Sequence, residues 1–279
     1  MRVLIWADME GVAGISTWEQ VAGSLPLYEE GRRLYTEEIN AAVRGTLAAG
    51  ATEVVVIDGH GGSHPGARGF LSLIPERLEP GARYVLGHTW TRHIEPFERG
   101  CDAALLVAAH AMSGTPGGVL SHTVSSESWY AATINGTPVG ETGIVAAIAG
   151  CWNTPVVFLS GDEAVCREAR TLLGPGLVTA PVKQGLSRYS ARHLAPAEAR
   201  ALIESGAREA VARGALTGRS GWPAPLRFTA PVTFQVELTT PDRAEAYRGR
   251  AGVEVAGPRT VRATGETFWQ AWDAFWHHG

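Results

Sequence analysis

The sequence predicts an α/β fold: an open, mostly parallel sheet with flanking helices, plus a smaller C-terminal α+β domain. Three observations predict it. Four short apolar runs, at residues 3–6, 54–57, 104–108 and 156–159, are continuous rather than alternating, which suits strands buried on both faces. Stretches with helical spacing lie between or after several of these runs. Near residue 190 the character changes, and a later strand alternates cleanly between apolar and polar residues.

Taken in order, residues 28–49 carry Leu34, Ile39, Val43 and Leu47 at helical spacing, and Gly50 stops the run just past its end. Asn135-Gly136, between residues 129–134 and 137–139, predicts a small hairpin with a type I′ turn. Residues 141–149 form a second candidate helix and 162–173 a third, with Asp162 as its N-cap. Residues 196–213 read as an amphipathic helix with Ile203, Ala207 and Val211 on one side and a Glu204/Arg208 pair one turn apart. In residues 232–239, Val232, Phe234, Val236 and Leu238 alternate with polar neighbours, as in a half-exposed strand. A last helix carries Phe268, Trp272 and Phe275, an apolar stripe expected to be core rather than a cofactor site. The expected division is a metal-binding catalytic α/β domain over 1–190 and an α+β domain over 191–279.

Composition narrows the function classes. With 279 residues, 45% hydrophobic and 19% charged, the chain can bury a sizeable core. A net charge of −4 without a basic run leaves no footprint for nucleic acid. No apolar run approaches ~18 residues, so no membrane span is expected, and the opening residues do not resemble a signal peptide. Cys101, Cys151 and Cys166 form no CxxC pair and are odd in number, which argues against a disulfide framework and fits a reducing cytoplasm.

Each of the first three buried runs ends in metal-ligand chemistry: Asp8-Met9-Glu10-Gly11, Asp58-Gly59-His60-Gly61-Gly62, and Ala109-His110. In an open parallel sheet, ligands bind beyond the carboxyl ends of the strands. Asp8, Glu10, His60 and His110 can therefore converge although they are far apart in sequence. Oxygen and imidazole ligands without thiolate suit a catalytic zinc, manganese or cobalt site. Two carboxylates that close together without a cation would raise each other's pKa. Each residue alone has a plainer reading. Asp58 before Gly59 can be a turn residue, a lone His60 or His110 is more often not a ligand, and His64 reads as a loop histidine. The acids of Ser160-Gly161-Asp162-Glu163, at the fourth run, read as helix capping. The glycine-rich loop after Asp58 lacks the spacing and the lysine of a phosphate cradle.

In order, Asp8-Met9-Glu10-Gly11, Asp58-Gly59-His60, the His110 segment, Gly117-Gly118-Val119-Leu120-Ser121-His122, Pro138-Val139-Gly140-Glu141 and Pro181-Val182-Lys183-Gln184 resemble the zinc-dependent D-aminopeptidase family. The resemblance covers most of the first ~190 residues; single motifs are weak, and their order makes them specific. It implies two zinc ions per chain, with Asp8 bridging them and Glu10, His60, His110 and Glu141 completing the ligand set. It also implies that His122 is catalytic. By themselves, Glu141 reads as an acid at a helix N-terminus and His122 as a loop histidine. The implied reaction is hydrolysis of an N-terminal, D-configured residue from a short peptide or amino-acid amide, by a homo-oligomer forming a decameric ring. The alternatives are a dinuclear phosphoesterase, against which the lack of a flanking Arg/Lys pair counts, and an inactive metal-binding ring protein, which would have no use for His122. One departure stands out: Trp6 occupies the position, two before Asp8, where the family carries serine. An indole there is expected to crowd the floor of the site.

Overall fold

A computed structural model describes residues 1–61, 69–88 and 93–276. In chain order the first elements are β1 (Arg2–Ala7), α1 (Trp18–Val21), α2 (Tyr28–Ala48), β2 (Glu53–Asp58), β3 (Ala82–Val85), α3 (Glu95–Glu98) and β4 (Ala103–Ala109). There follow β5 (Trp129–Ile134), β6 (Thr137–Pro138), α4 (Glu141–Cys151), β7 (Val156–Asp162), α5 (Glu163–Leu173), β8 (Val178–Ser187) and β9 (Ser190–His193). The last are α6 (Pro196–Thr217), β10 (Val232–Leu238), α7 (Pro241–Glu245), β11 (Val253–Val255), β12 (Thr260–Gly265) and α8 (Phe268–Trp276).

The four continuous apolar runs become β1, β2, β4 and β7 of one seven-stranded sheet ordered β3-β2-β1-β4-β7-β8-β9, parallel except for β9. Burial on both faces explains their composition. Val3, Ile5 and Ala7 of β1 pack with Ile39 and Val43 of α2 and with Ile203 and Val211 of α6. Leu4 and Trp6, alternating with them, face a second core with Ile144, Phe234, Trp272 and Phe275. The C-terminal aromatic stripe is core, as its spacing predicts.

The sheet fixes where chemistry can gather. From β1 the chain builds outward through β2 and β3 on one side and through β4, β7 and β8 on the other. The strand order reverses between β1 and β4, the kind of crevice where open α/β sheets bind ligands. Register keeps the strand ends level: Ala7 lies opposite Asp58 of β2 and Val107 of β4.

Local signals hold as well. Asp162 caps α5, its Oδ1 accepting from the Val165 amide at 2.8 Å. Asn135 and Gly136 both have positive φ (47° and 80°), as a type I′ turn requires. Strand β10 alternates between buried and partly buried residues.

The sheets do not divide at residue 190. The second sheet, ordered β11-β12-β10-β5-β6, takes β5 and β6 from the earlier part of the chain. In the other direction, β9 and α6 remain with the parallel sheet. Hydrogen-bond partners in a sheet are set by tertiary pairing, which a local change of pattern does not report.

Helices α2 and α6 cover one face side by side, and Gly45 lets them approach. A Cβ there would lie 2.2 Å from the Glu204 carbonyl oxygen. In an isolated helix Gly45→Ala would gain about 1 kcal/mol of propensity. Overpacking against a backbone oxygen costs about 1–3 kcal/mol, so the expected result is a lower urea midpoint. An unchanged or raised midpoint would show that the helices separate without cost.

Candidate metal centre

Asp8 follows β1, His60 follows β2, His110 follows β4, and Glu141 opens α4. The structure brings them together with Glu10 and His122. His110 Nε2 lies 3.4 Å from Asp8 Oδ2 and 3.1 Å from Glu141 Oε1. His60 Nε2 lies 3.4 Å from Glu10 Oε1, and His122 Nε2 lies 3.7 Å from Glu141 Oε1. The rings of His110 and His122 stack at 4.0 Å. Two overlapping groups result, Asp8/Glu10/His110 and His110/His122/Glu141, with ligand atoms within 4.8 Å of one another in each. Asp8, Glu10, His60 and His110 are buried, whereas Glu141 and His122 stay partly open. His64 lies outside the described residues.

Asp58 does not join the cluster. It is fully buried, and its carboxylate accepts from the Ser72 and Leu73 amides (2.7 and 3.1 Å) and from the Tyr35 hydroxyl (2.9 Å). Residues two apart share a face in an extended strand, but β2 ends at Asp58, so Asp58 and His60 diverge. Its role is to seat the segment holding Ser72, whose hydroxyl lies 2.8 Å from His60 Nδ1. Sequence reasoning gave no signal for Ser72.

The imidazoles are oriented through their second nitrogens. His110 Nδ1 donates to the Ala111 carbonyl at 3.0 Å and His122 Nδ1 to the Leu120 carbonyl at 2.8 Å. Each Nε2 is thereby turned to the cluster. The backbone here is held in uncommon geometry: Phe70, Ala108, Leu120 and Val124, four of eight non-glycine residues with positive φ among the described ones, border the site. The Val124 amide donates to Glu141 Oε1 at 2.7 Å. Asp162, beyond capping α5, accepts from the Val119 amide at 2.8 Å and so anchors the loop that carries His122.

Lys183, from the last of the runs quoted above for its resemblance, clamps the segment after β1. Its buried ammonium donates to the carbonyls of Glu10, Val12 (2.9 Å) and Ile15 (2.7 Å). Glu38 holds the same segment from α2 by accepting from the Ala13 amide at 2.9 Å. Burial pulls Lys183 down to about 8 and pushes Glu38 up to about 8.

The electrostatics are those of crowded carboxylates. Burial, then the charge of Glu10, raises Asp8 well above the usual carboxylate range. Burial would raise Glu10 too, but His60 outweighs it and holds Glu10 well below that range. Glu141 is likewise brought to about 2, with His110 overcoming burial. Burial opposes the charging of His60 and His110, yet Glu10 lifts the first to about 9 and Glu141 lifts the second well above its ordinary value. His122 goes the other way: burial and the neighbouring His110 lower it, so it is neutral near pH 7.

A cleft of about 730 Å³ opens over the cluster, with Trp18, Phe70, Trp129 and Trp276 among its walls. Trp6 is not in that wall. It is buried beneath the site and lines a small cavity with Asp8 and Glu141, so it forms the floor without narrowing the cleft.

A cluster of carboxylates and imidazoles at the switch point of a parallel sheet, beneath a cleft, has the architecture of an α/β metallohydrolase. The model of the D-aminopeptidase family matches residues 1–277. The chain is 35% identical over 211 residues to a D-aminopeptidase of Bacillus subtilis (strain 168), covering 73% of this chain and 71% of that protein. It is also similar to the solved structure of the Zn-dependent D-aminopeptidase DppA from Bacillus subtilis, a self-compartmentalizing protease. There the TM-score is 0.86 at 30% identity, over 99% of this chain and 95% of the other. The chain belongs to the D-aminopeptidase family.

Because Ser72 orients His60 without facing the cluster itself, Ser72→Ala is expected to leave the fold intact and weaken divalent-cation affinity by about 10–100-fold, as loss of a ligand's outer partner does. Competition with a chelator measures it. An unchanged affinity would mean that His60 is positioned without Ser72.

Proposed function

We propose that this chain is a dinuclear zinc aminopeptidase that removes the N-terminal, D-configured residue from short peptides or amino-acid amides. In this reading Asp8, Glu10, His60, His110 and Glu141 would hold the two ions, and His122 would move the proton. The observation that carries it is the donor set itself. Glu10 Oε2 and His110 Nε2 are buried without a hydrogen-bond partner among the described residues, both within the cluster. Lone pairs of carboxylate and imidazole that converge this way fit a divalent cation with oxygen and nitrogen preference. The D preference rests on family membership and on the two Bacillus proteins. That membership also weighs against the phosphoesterase and inactive-ring alternatives.

When bound, such a pair of ions supplies Lewis acidity that activates water and polarises the scissile carbonyl. The chain's own residues supply the rest. His122 is neutral and its Nδ1 proton is committed to Leu120, so Nε2 presents a lone pair. It takes a proton at Nε2 from the attacking water and delivers it to the departing amine as the C–N bond breaks. Trp18 lies edge-on to that ring at 5.4 Å, and Arg188 stacks over Trp18, so the imidazole is confined.

The self-compartmentalizing relative supports a homo-oligomer for this chain, and a decameric ring is the form we propose. Exposed Tyr130, Leu186, Tyr189 and Leu216 offer apolar area for such contacts. No helix among the described residues is long and apolar enough to cross a membrane. The three free cysteines favour a reducing, cytoplasmic setting.

The roles separate by experiment. Asp8→Ala is expected to lose metal and activity together, and His60→Ala or His110→Ala likewise. His122→Ala is expected to keep its metal while kcat falls by about 10²–10⁴-fold with little change in KM. Metal analysis and steady-state kinetics in one buffer decide it. If His122→Ala loses metal as fully as His60→Ala, the histidine is a ligand. If it stays active, it is a loop residue.

A further inference from the structure

The cleft has two chemically different ends. One is the cluster of Asp8, Glu10, His60, His122 and Glu141; the other is formed by residues 125–129 together with Arg243 and Tyr247 from the α7 region. Arg243 is the one arginine or lysine among the described residues of the cleft wall.

Its distance from the cluster follows from the chain between them. The Val124 amide donates to Glu141 Oε1 at 2.7 Å. The Trp129 amide donates to the Ser125 carbonyl at 3.1 Å, which closes the intervening residues into a single turn. Ser128, in that turn, accepts from Arg243 Nη1 through its hydroxyl. The guanidinium therefore sits about one turn of chain from a candidate ligand, on the order of 6–10 Å. An extended dipeptide or tripeptide spans about 7–10 Å.

The guanidinium has capacity to spare. It carries five N–H donors, and Ser128 engages one. Its other neighbour, Glu127, is 4.0 Å away on a side chain that is 84% exposed, a spacing and setting in which an ion pair is weak. The apolar faces of Trp129, Tyr247 and Trp276 line the same cleft, and the Arg243 side chain is 42% exposed, so a ligand in the cleft can reach it. A planar, forked cation in such surroundings matches a carboxylate.

We propose that Arg243 is a specificity-determining residue that binds the free C-terminal carboxylate of a di- or tripeptide while the scissile bond lies at the cluster. The enzyme would then select short peptides that end in a free carboxylate over their amides. This inference rests on the aminopeptidase reading given above.

The test compares D-alanylglycine with D-alanylglycinamide as substrates of the full-length, zinc-loaded protein, alongside Arg243→Gln and Arg243→Lys. The parent is expected to favour the free acid in kcat/KM by about 10–100-fold, the worth of a charge-assisted hydrogen bond. Arg243→Gln is expected to lose that preference through a higher KM for the acid, and Arg243→Lys to keep part of it, with zinc content unchanged in both. A parent that does not discriminate, or an Arg243→Gln variant that discriminates as well as the parent, overturns the proposal. So does equal loss on acid and amide, which would mark Arg243 as only a structural tie to Ser128. If the zinc-loaded parent cleaves neither compound, the aminopeptidase reading itself fails and takes this proposal with it.

Discussion

Asp8, Glu10 and Glu141 share a small volume with three imidazoles, and like charges at that spacing oppose one another's ionisation unless positive charge offsets them. Burial and Glu10 accordingly push Asp8 well above the usual carboxylate range, while the neighbouring carboxylates lift His60 and His110. A divalent cation removes the conflict at a single stroke, because it accepts the same lone pairs that the buried Glu10 and His110 atoms leave unused. The position of the conflict is also informative. It sits at the reversal of strand order, where the parallel sheet leaves a crevice.

Holding such groups together takes more of the molecule than the groups themselves. Asp58 ties the Ser72 segment to the end of β2, and Ser72 orients His60. Lys183 reaches from β8 across to the segment that carries Glu10, and Glu38 approaches the same segment from α2. Asp162 fixes the loop before His122. Asp58, Lys183 and Asp162 are buried and each makes two or more hydrogen bonds, an arrangement that specifies one geometry even where its net contribution to stability is small; Glu38 makes one. The positive-φ residues at Ala108, Leu120 and Val124 fit the same pattern, since each contributes a backbone group to a contact that positions the site.

Much of this was legible before any coordinates. The apolar runs of β1, β2, β4 and β7 reveal a parallel sheet because burial on both faces leaves no room for alternation. Strand-end positions then single out Asp8, Glu10, His60 and His110. Glu141 and His122 were legible only through family resemblance, since a helix start and a glycine-rich loop are where such residues also occur for ordinary reasons. Asp58 illustrates the limit of local geometry: residues two apart share a face only within an extended strand, and β2 ends at Asp58, before His60. Ser72, Lys183 and Arg243 act across 12 to 173 residues of sequence, so nothing in their immediate surroundings marks their roles. The hairpin of β5 and β6 joins the second sheet for the same reason, and the boundary at residue 190 could not anticipate it.

The central claim is that one centre, holding two ions, performs the hydrolysis. Stepwise return of zinc to chelator-stripped protein, with bound metal and hydrolysis of a D-alanyl amide measured on the same samples, tests it most directly. The account predicts that activity rises to a plateau at about two equivalents per chain, in line with two-metal aminopeptidase chemistry. Full activity in the stripped protein, or zinc taken up to saturation with no hydrolysis, would contradict it.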